Sequence, residues 1–454
     1  MNDKRDMWTG RIGFILATVG SAVGIGSIWK FPYEVGSNGG GAFVLFYVAG
    51  LVLIVVPLML AEFAIGRRGR GDPATSIAVV AAACSASRWW PCVGVLGVST
   101  GFLILSFYSV IGGWTLGYAA ETALRGLAGA DPQAVRARFD TFLGSPSRLL
   151  ICHAVFMAIA AAVVARGVRH GIETASKVLM PVLAALMVGL AAYAIIEGDF
   201  AATLRFLFLP DPQHFTARAA LEALGLGFFS IGVGLGLMIT YAAYSGAEIN
   251  LVEVAVVSVI ADTGISFLAG FAVFPIVFEH GLDPASGPGL VFVTLPLAFA
   301  QMQLGTLAAS TFFLLLFVAA LASAISMLEI IVALSMRRFG WQRVPAVFVA
   351  AGTCFAAGLA TVLSFNVWAD WFPLKGLDGF ATATVFDLLD HLTSNVLLPV
   401  GGFLIAIFAG WAVPVRFLVE ELRLTPTGAV VLRAALRYVA PVGIALVTLA
   451  PILL

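Results

Sequence analysis

Long apolar segments recur along the whole chain and constrain its fold more than any other feature. Crossing the hydrocarbon core of a bilayer takes about 20 apolar residues in an α-helix, and about eleven segments reach that length. They lie near 12–36, 41–65, 89–123, 149–165, 174–196, 219–244, 251–278, 300–336, 344–365, 383–411 and 428–453. The 454 residues are 61% hydrophobic and only 11% charged, which excludes an ordinary soluble protein. The sequence therefore predicts an all-α polytopic membrane protein with about eleven transmembrane helices.

The distribution of basic residues predicts the orientation of these helices. With the N-terminus in the cytoplasm, most of the 25 lysines and arginines fall in the cytoplasmic loops, as the positive-inside rule requires. An odd number of spans then places the C-terminus outside. The formal net charge of zero argues against nucleic acid as a partner, and the four cysteines show no metal-ligand or disulfide spacing.

Three glycines interrupt the first apolar segment, at Gly20, Gly24 and Gly26. Within a membrane, unwound backbone is tolerated only where protein or a water-filled cavity satisfies its polar groups. The freed carbonyls can coordinate a cation, and the freed N–H groups at the start of the second half-helix can hold a carboxylate. The pattern thus indicates a solute site at mid-membrane depth. The alternative is a small-residue face for helix packing.

A second glycine-rich interruption, at 225–236, lies five segments after the first. Five spans reverse the direction of the chain, so the second copy of the feature begins on the opposite side of the membrane. Two broken helices at corresponding positions are the sign of an inverted repeat with the substrate between them. We therefore predict a single transporter domain over 1–454, with repeats at about 10–197 and 218–411 and an extra helix at about 428–453.

The segment at 281–299 begins with a Gly- and Pro-rich run and then turns apolar. It is typical either of a lid hairpin that dips toward the pore or of a surface loop, and the sequence leaves both interpretations open.

The residues around the first interruption resemble a known family. The run Gly-Ser-Ala-Val-Gly-Ile-Gly-Ser-Ile-Trp-Lys-Phe-Pro-Tyr at 20–33, with 38–43 and 57–62 after it, closely resembles the neurotransmitter:sodium symporter family. The likeness continues through Tyr108 and 239–244 and covers nearly the whole chain. It implies an inverted five-plus-five helix core with unwound helices 1 and 6 plus one additional helix. It also implies sodium-driven uptake of amino acids or related amines across the bacterial cytoplasmic (inner) membrane.

The resemblance carries a substrate site over to this chain. Its residues would be Ala22, Gly24, Ile25, Gly26, Ile104, Tyr108, Phe229, Ser230, Gly232, Leu235, Ser323 and Met327. Relatives that carry amines without a carboxylate have Asp where this chain has Gly24, so Gly24 favours a substrate that brings its own carboxylate. The pocket for the substrate side chain is apolar apart from Ser323, which predicts a hydrophobic amino acid, branched or aromatic.

Two sodium sites follow from the same resemblance. The first would use Ala22, Ser27, Ser230 and Asp262 with the substrate carboxylate, and the second would use Gly20, Val23, Ala319 and Ser323. The family usually has Asn at positions 27 and 262. An acid in the membrane core is costly and functional by default. Because Asp262 supplies a fixed negative charge, we expect transport without chloride, with protonation of Asp262 replacing chloride movement on the return step.

The gates can be carried over as well. Lys30 and Asp390 are expected to form the outer ion pair. The residues that match the inner latch of the family are Arg5, Trp8 and Tyr244. The acid that completes this latch in relatives aligns with Arg337, which cannot pair with another arginine, so the inner gate must close differently.

Other functions stay open as alternatives. Within transport, the cargo could be another small zwitterion or an osmolyte; outside it, the chain could be a transporter-like sensor that binds an amino acid without moving it. An enzyme is not expected, because the five histidines form no metal spacing and no nucleophile–base arrangement is present. The expected partners are the amino-acid substrate and membrane lipid, and the expected state is a monomer or a loose homodimer.

Overall fold

The computed structural model describes residues 7–126, 132–284, 292, 295–300, 302–377 and 379–453. All regular elements of these ranges are helical. The helices are α1 (Arg11–Ala22), α2 (Gly26–Ser37), α3 (Gly41–Gly69), α4 (Pro73–Ala83), α5 (Pro91–Arg125), α6 (Pro132–Leu143), α7 (Pro146–Ala165), α8 (Val168–Glu197), α9 (Phe200–Phe208), α10 (Ala217–Ile231), α11 (Leu237–Ala243), α12 (Leu251–Glu279), α13 (Leu295–Ala300), α14 (Gly305–Phe339), α15 (Arg343–Ser364), α16 (Val385–Ala412), α17 (Val415–Leu422) and α18 (Pro426–Leu449). In the described ranges, nine of them are long and apolar enough to cross a membrane, or ten if the bent pair of α1 and α2 is one span.

The first predicted break is confirmed, although it is narrower than the three glycines suggest. The axes of α1 and α2 differ by 55°, and Val23 between them is extended (φ −76°, ψ 103°). Gly20 lies inside α1, where an added Cβ would come within 3.2 Å of the Met180 side chain. Gly20 is therefore a helix-packing glycine, as the alternative interpretation proposed, whereas Gly24 lies in the break itself.

The segment predicted at 219–244 is two short helices, α10 and α11, which accounts for the difference between about eleven predicted spans and those found. Three glycines between them have positive φ: Gly232 (71°), Gly234 (96°) and Gly236 (78°). Side chains other than glycine rarely adopt this left-handed region. Glu62 on α3 accepts a hydrogen bond from the N–H of Gly234 at 2.6 Å, which satisfies one of the freed backbone groups.

The helices differ sharply in how deeply they are enclosed. In the most apolar window of α14, 94% of the residues are buried inside the protein, against 28% for α18. α14 is therefore an inner helix of the bundle, and α18 presents most of its surface to lipid. The boundaries of the two repeats and of the extra helix stay predictions.

Part of the 281–299 segment lies in the described ranges, and that part is buried. The Phe292 ring stacks on the Phe139 ring at 5.3 Å between centroids. It also stacks on Phe313 and contacts Trp29 edge-on, each with 5.7 Å between centroids. The short helix α13 is buried along most of its length. The burial of Phe292 and α13 favours the lid interpretation over a surface loop.

Candidate functional site

A small cavity lies where the two broken helices face each other. Its volume is about 40 Å³, well below the roughly 300 Å³ at which ordinary ligand pockets begin, so the site is closed around little free space. The lining residues are Ser21, Gly24, Gly26, Ile104, Tyr108, Phe229, Ser230, Gly232, Leu235, Leu237, Ser323, Met327 and Leu398. Of the residues expected to contact the substrate, all but Ala22 and Ile25 are in this lining, and those two are buried.

The polar end of the cavity is formed by Tyr108, Ser323 and the break in the first span. The N–H of Ile25 donates to the Tyr108 hydroxyl at 3.1 Å. A Cβ added to Gly24 would lie 2.8 Å from Ser323 Oγ and 3.0 Å from Tyr108 Oη. Position 24 therefore has no room for a side chain, and the protein brings no carboxylate of its own to this end of the cavity.

Phe229 covers one side of the cavity. A Cβ on Gly26 would come within 3.0 Å of the Phe229 ring, and Lys30 Nζ lies 4.8 Å from the centroid of that ring, within reach of a cation–π contact. The predicted ion pair between Lys30 and Asp390, both described residues, is not formed in this structure. Asp390 instead accepts from Ser394, one turn further along the same helix, at 2.9 Å.

A buried carboxylate adjoins the cavity on α12. Asp262 is fully buried and accepts from Ser27 Oγ at 2.5 Å, from Ser230 Oγ at 2.9 and 3.0 Å, and from Tyr47 Oη at 3.2 Å. Within the described ranges, no basic side chain lies at ion-pair distance from it. An ionised carboxylate in such a place is destabilised by several kcal/mol unless a cation compensates it. The geometry thus suits a monovalent cation held by hard oxygen ligands.

The residues predicted for the second ion site bring only neutral oxygens. Ser323 Oγ on α14 lies 3.3 Å from the carbonyl of Val23, at the unwound end of α1. Gly20 and Ala319 are buried on the same two helices. The structure therefore places Val23 and Ser323 at the contact of α1 with α14, and a Cβ added to Gly20 would lie 3.6 Å from the Ala322 side chain at the same contact. Ala319 is on α14, one turn before Ser323.

The end of the bundle at which the described chain begins is closed by a network that includes a buried acid; we call it the inner end. The Trp8 indole N–H donates to the carbonyl of Tyr241 at 2.8 Å. The Tyr244 hydroxyl donates to Glu329 Oε1 at 2.8 Å, and Arg343 donates to both oxygens of Glu329, at 2.7 and 2.9 Å. Two parallel charge-assisted bonds of this kind are among the stronger polar contacts in proteins.

The acid of this network sits two helical turns before the position at which relatives provide it. Arg337 is exposed on α14, whereas Glu329 is fully buried on the same helix. Arg5, expected in the latch, lies outside the described residues. Sequence reasoning missed Glu329, as it missed the role of Glu62. Both are acids inside apolar spans, and the rule that such acids are functional by default could have found them.

A further contact fixes the start of the first span. The N–H of Thr9 donates to Glu173 Oε2 on α8 at 2.8 Å, and Lys177 Nζ lies 2.7 Å from Glu173 Oε1. Thr9, two residues before α1 begins, is thereby tied to the first turns of α8. The inner closure thus holds the chain at two places, Trp8 and Thr9.

The comparison with protein families agrees with this geometry. The model of the sodium:neurotransmitter symporter family matches residues 5–131 and 141–450, nearly the whole chain. The chain belongs to this family. It is accordingly a sodium-coupled transporter, a multi-pass membrane protein with a small-molecule substrate.

Individual relatives resemble this symporter over their full length. The uncharacterized sodium-dependent transporter YhdH of Bacillus subtilis is 38% identical over 92% of this chain and 91% of its own. An uncharacterized sodium-dependent transporter of Haemophilus influenzae is 30% identical over 90% of each chain. Among solved structures, MhsT in complex with L-phenylalanine is 40% identical, covers 98% of this chain and 99% of its own, and has a TM-score of 0.89. The likeness to MhsT shows that this symporter has the family fold, in which the two unwound helices are the pair α1 and α2 and the pair α10 and α11.

Proposed function

We propose that this symporter couples sodium entry to the import of a hydrophobic α-amino acid, branched or aromatic, by alternating access. One observation carries the proposal. Ser230 lines the central cavity and also donates to both oxygens of Asp262. The place for a cation and the place for a solute therefore share a residue, and occupation of one changes the other.

The cavity favours an amino acid with an apolar side chain. Away from Tyr108 and Ser323 its walls are Ile104, Phe229, Leu235 and Met327. The substrate carboxylate would approach the start of α2, where the half-helix dipole favours an anion. The N–H of Ile25, which donates to Tyr108 in this structure, and the N–H of Gly26 would turn to the carboxylate when it binds. The solved structure of MhsT is a complex with L-phenylalanine, and the likeness of the two chains supports the same class of substrate here.

The ions are cargo, and we propose two per cycle. The first would be held by Asp262, Ser27, Ser230, the carbonyl of Ala22 and the substrate carboxylate. The second would be held by the carbonyls of Gly20, Val23 and Ala319 with Ser323. Because Asp262 is negatively charged without a basic partner in the described ranges, it can balance one sodium ion by itself, and chloride is not needed.

The inner network supplies the remaining gate. Trp8, Tyr244 and Glu329 hold the inner end closed, and release of the substrate requires these contacts to break. Lys30 over Phe229 would cover the site from outside. We place the protein in the bacterial inner membrane with the N-terminus in the cytoplasm and the C-terminus outside, as a monomer or a loose homodimer.

Uptake into proteoliposomes tests the proposed function. Leucine, phenylalanine, tryptophan, proline and γ-aminobutyrate would be offered under an inward sodium gradient, then with potassium in place of sodium, each with and without chloride. Accumulation of a hydrophobic amino acid only with sodium, and equally without chloride, is the expected result. Sodium-dependent binding without accumulation would favour a sensor, and accumulation of γ-aminobutyrate alone would refute the proposed substrate class.

A further inference from the structure

A second cavity of the described ranges is larger than the central cavity and shares no lining residue with it. Its volume is about 490 Å³, within the range of ligand pockets and more than ten times that of the central cavity. It lies between α3, α10 and α18. Its lining residues are Phe46, Ala49, Gly50, Leu53, Ile54, Ala220, Leu224, Tyr438, Val439, Val442, Gly443 and Leu446. All of them are apolar except for the Tyr438 hydroxyl. We call this cavity the outer groove.

The outer groove is built by the backbone rather than left by loose packing. Both long helices that border it contain a π-helical turn there, Leu51–Val55 in α3 and Ala435–Val439 in α18, and such turns displace side chains from regular helical positions. At its floor the helices touch: a Cβ on Gly50 would collide with Leu224, and one on Gly443 would collide with Ile54. The helices are therefore held together at the floor and spread apart at the mouth.

The mouth opens toward the membrane. Leu53 and Val442 on opposite walls are 53% and 59% exposed, on spans that cross the bilayer. From Tyr438 to Leu446 the groove extends about 12 Å along α18, at 1.5 Å per residue. The surrounding medium at this depth is hydrocarbon, so the occupant that fits the groove is a lipid acyl chain.

Beside Tyr438, at one end of the outer groove, lies Arg437, whose positive charge is not neutralised by the described carboxylates. The Arg437 guanidinium lies 4.0 Å from the Trp411 ring and 5.7 Å from the Tyr438 ring. Its Nε is buried without a hydrogen-bond partner, and none of the described carboxylates is at ion-pair distance. Trp411 is exposed near the end of α16, a position typical of the Trp and Tyr belts at membrane interfaces.

We propose that the outer groove is a binding site for one anionic phospholipid. The phosphate would pair with Arg437 beside Trp411, and one acyl chain would lie along Tyr438, Val442 and Leu446. Basic residues at the interface attract anionic lipids, and each methylene buried against protein adds to retention only where the wall is concave enough to enclose it. Because Leu224 is on α10, the lipid would contact the helix that carries Phe229 and Ser230 to the substrate site.

Native mass spectrometry of the delipidated full chain, titrated with phosphatidylglycerol or with phosphatidylcholine of the same acyl chains, tests this site. We expect one phosphatidylglycerol per chain to be retained in preference to phosphatidylcholine. Val442→Trp, which fills the groove, should weaken retention at least tenfold. Leu449→Trp makes the same change at an exposed α18 residue outside the groove and should have no effect. Arg437→Gln should remove the preference for phosphatidylglycerol.

Three results would overturn the assignment. Equal retention of phosphatidylglycerol by the Val442→Trp and Leu449→Trp variants would show that the lipid binds only non-specifically, as part of the lipid shell around the protein. A preference for phosphatidylglycerol that survives Arg437→Gln would refute the role of the arginine, and equal binding of the two lipids by the unaltered protein would refute an anionic ligand. Leu53→Trp fills the groove from the opposite wall. If the melting temperature of Val442→Trp is lowered, which indicates a folding defect, the retention measured for Leu53→Trp decides the test.

Discussion

Replacement of Asp262 by Asn tests the coupling site most directly. Asp262 is fully buried, accepts from three hydroxyl groups, and is without a basic partner in the ranges that the structure describes. Asn has almost the same shape and keeps one oxygen toward Ser27 and Ser230. The substitution therefore removes the charge while changing the packing very little.

The size of the effect follows from the charge. Two unit charges 4 Å apart interact by about 4 kcal/mol at an effective dielectric constant of 20, which is roughly a thousandfold in affinity at about 1.4 kcal/mol per tenfold. The amide oxygen keeps part of this attraction, and the cost of burying the carboxylate disappears. We therefore expect the apparent affinity for sodium to fall by roughly ten- to a thousandfold in Asp262→Asn.

The measurement is a sodium titration of radiolabelled substrate binding to the purified protein, in chloride and in gluconate. The unaltered protein should show the same midpoint in both salts. In Asp262→Asn the midpoint should move to higher sodium, and chloride should recover part of the loss because a mobile anion can replace the missing charge. Asp199→Asn is the matched control, since Asp199 is an exposed helix cap. An unchanged midpoint in Asp262→Asn would refute the assignment of the first sodium site.

Two further predictions concern the cavity and the inner gate. Gly24→Ala should weaken substrate binding at least tenfold, because the new methyl group would lie 2.8 Å from Ser323 Oγ and 3.0 Å from Tyr108 Oη; a binding isotherm measures this. Glu329→Gln should open the inner end, because Arg343 loses its buried carboxylate, and breaking such a pair costs about 3–5 kcal/mol. Thiol labelling from the inner side should then become several-fold faster.

Each of these predictions has a control in the chain. Gly189→Ala adds a methyl group on α8 where nothing lies within 4 Å and should leave binding unchanged. For the gate, the labelled position is Ser21→Cys in a background without the four native cysteines, and Glu420→Gln, in a surface ion pair with Arg68 and Arg416, should not alter the rate. Labelling of Glu329→Gln at the unaltered rate would exclude Glu329 from the gate.

The spans and both interruptions could be predicted because they depend on local composition. A segment of about 20 apolar residues in a chain of this hydropathy can only lie in a membrane. The three glycines of 232–236 predict a break because glycine, unlike other residues, readily adopts the positive φ angles found there. The resemblance supplied the positions expected for the substrate site, and the structure brings most of them to one cavity; their role in binding stays a prediction.

The gates show where sequence reasoning stops. The resemblance predicts an ion pair between Lys30 and Asp390. In the structure the Lys30 ammonium lies over the Phe229 ring instead. The choice between these two partners depends on the folded positions of the helices, which the sequence does not give. Arg337 indicated that the acid of the inner latch in relatives is missing at that position, but it did not indicate which residue replaces it. Glu329 and Arg343 meet only because α14 and α15 pack against each other. The sequence of neither helix predicts this contact.

The sequence by itself determined the membrane environment, the helical class and the places where two helices must unwind, because hydropathy, the need to satisfy backbone hydrogen bonds in lipid and the conformational range of glycine act on neighbouring residues. Only the tertiary structure decided which oxygens surround Asp262, which acid closes the inner end and where the outer groove opens. Each of those depends on side chains from two or three distant helices, and their meeting is set by packing across the whole bundle.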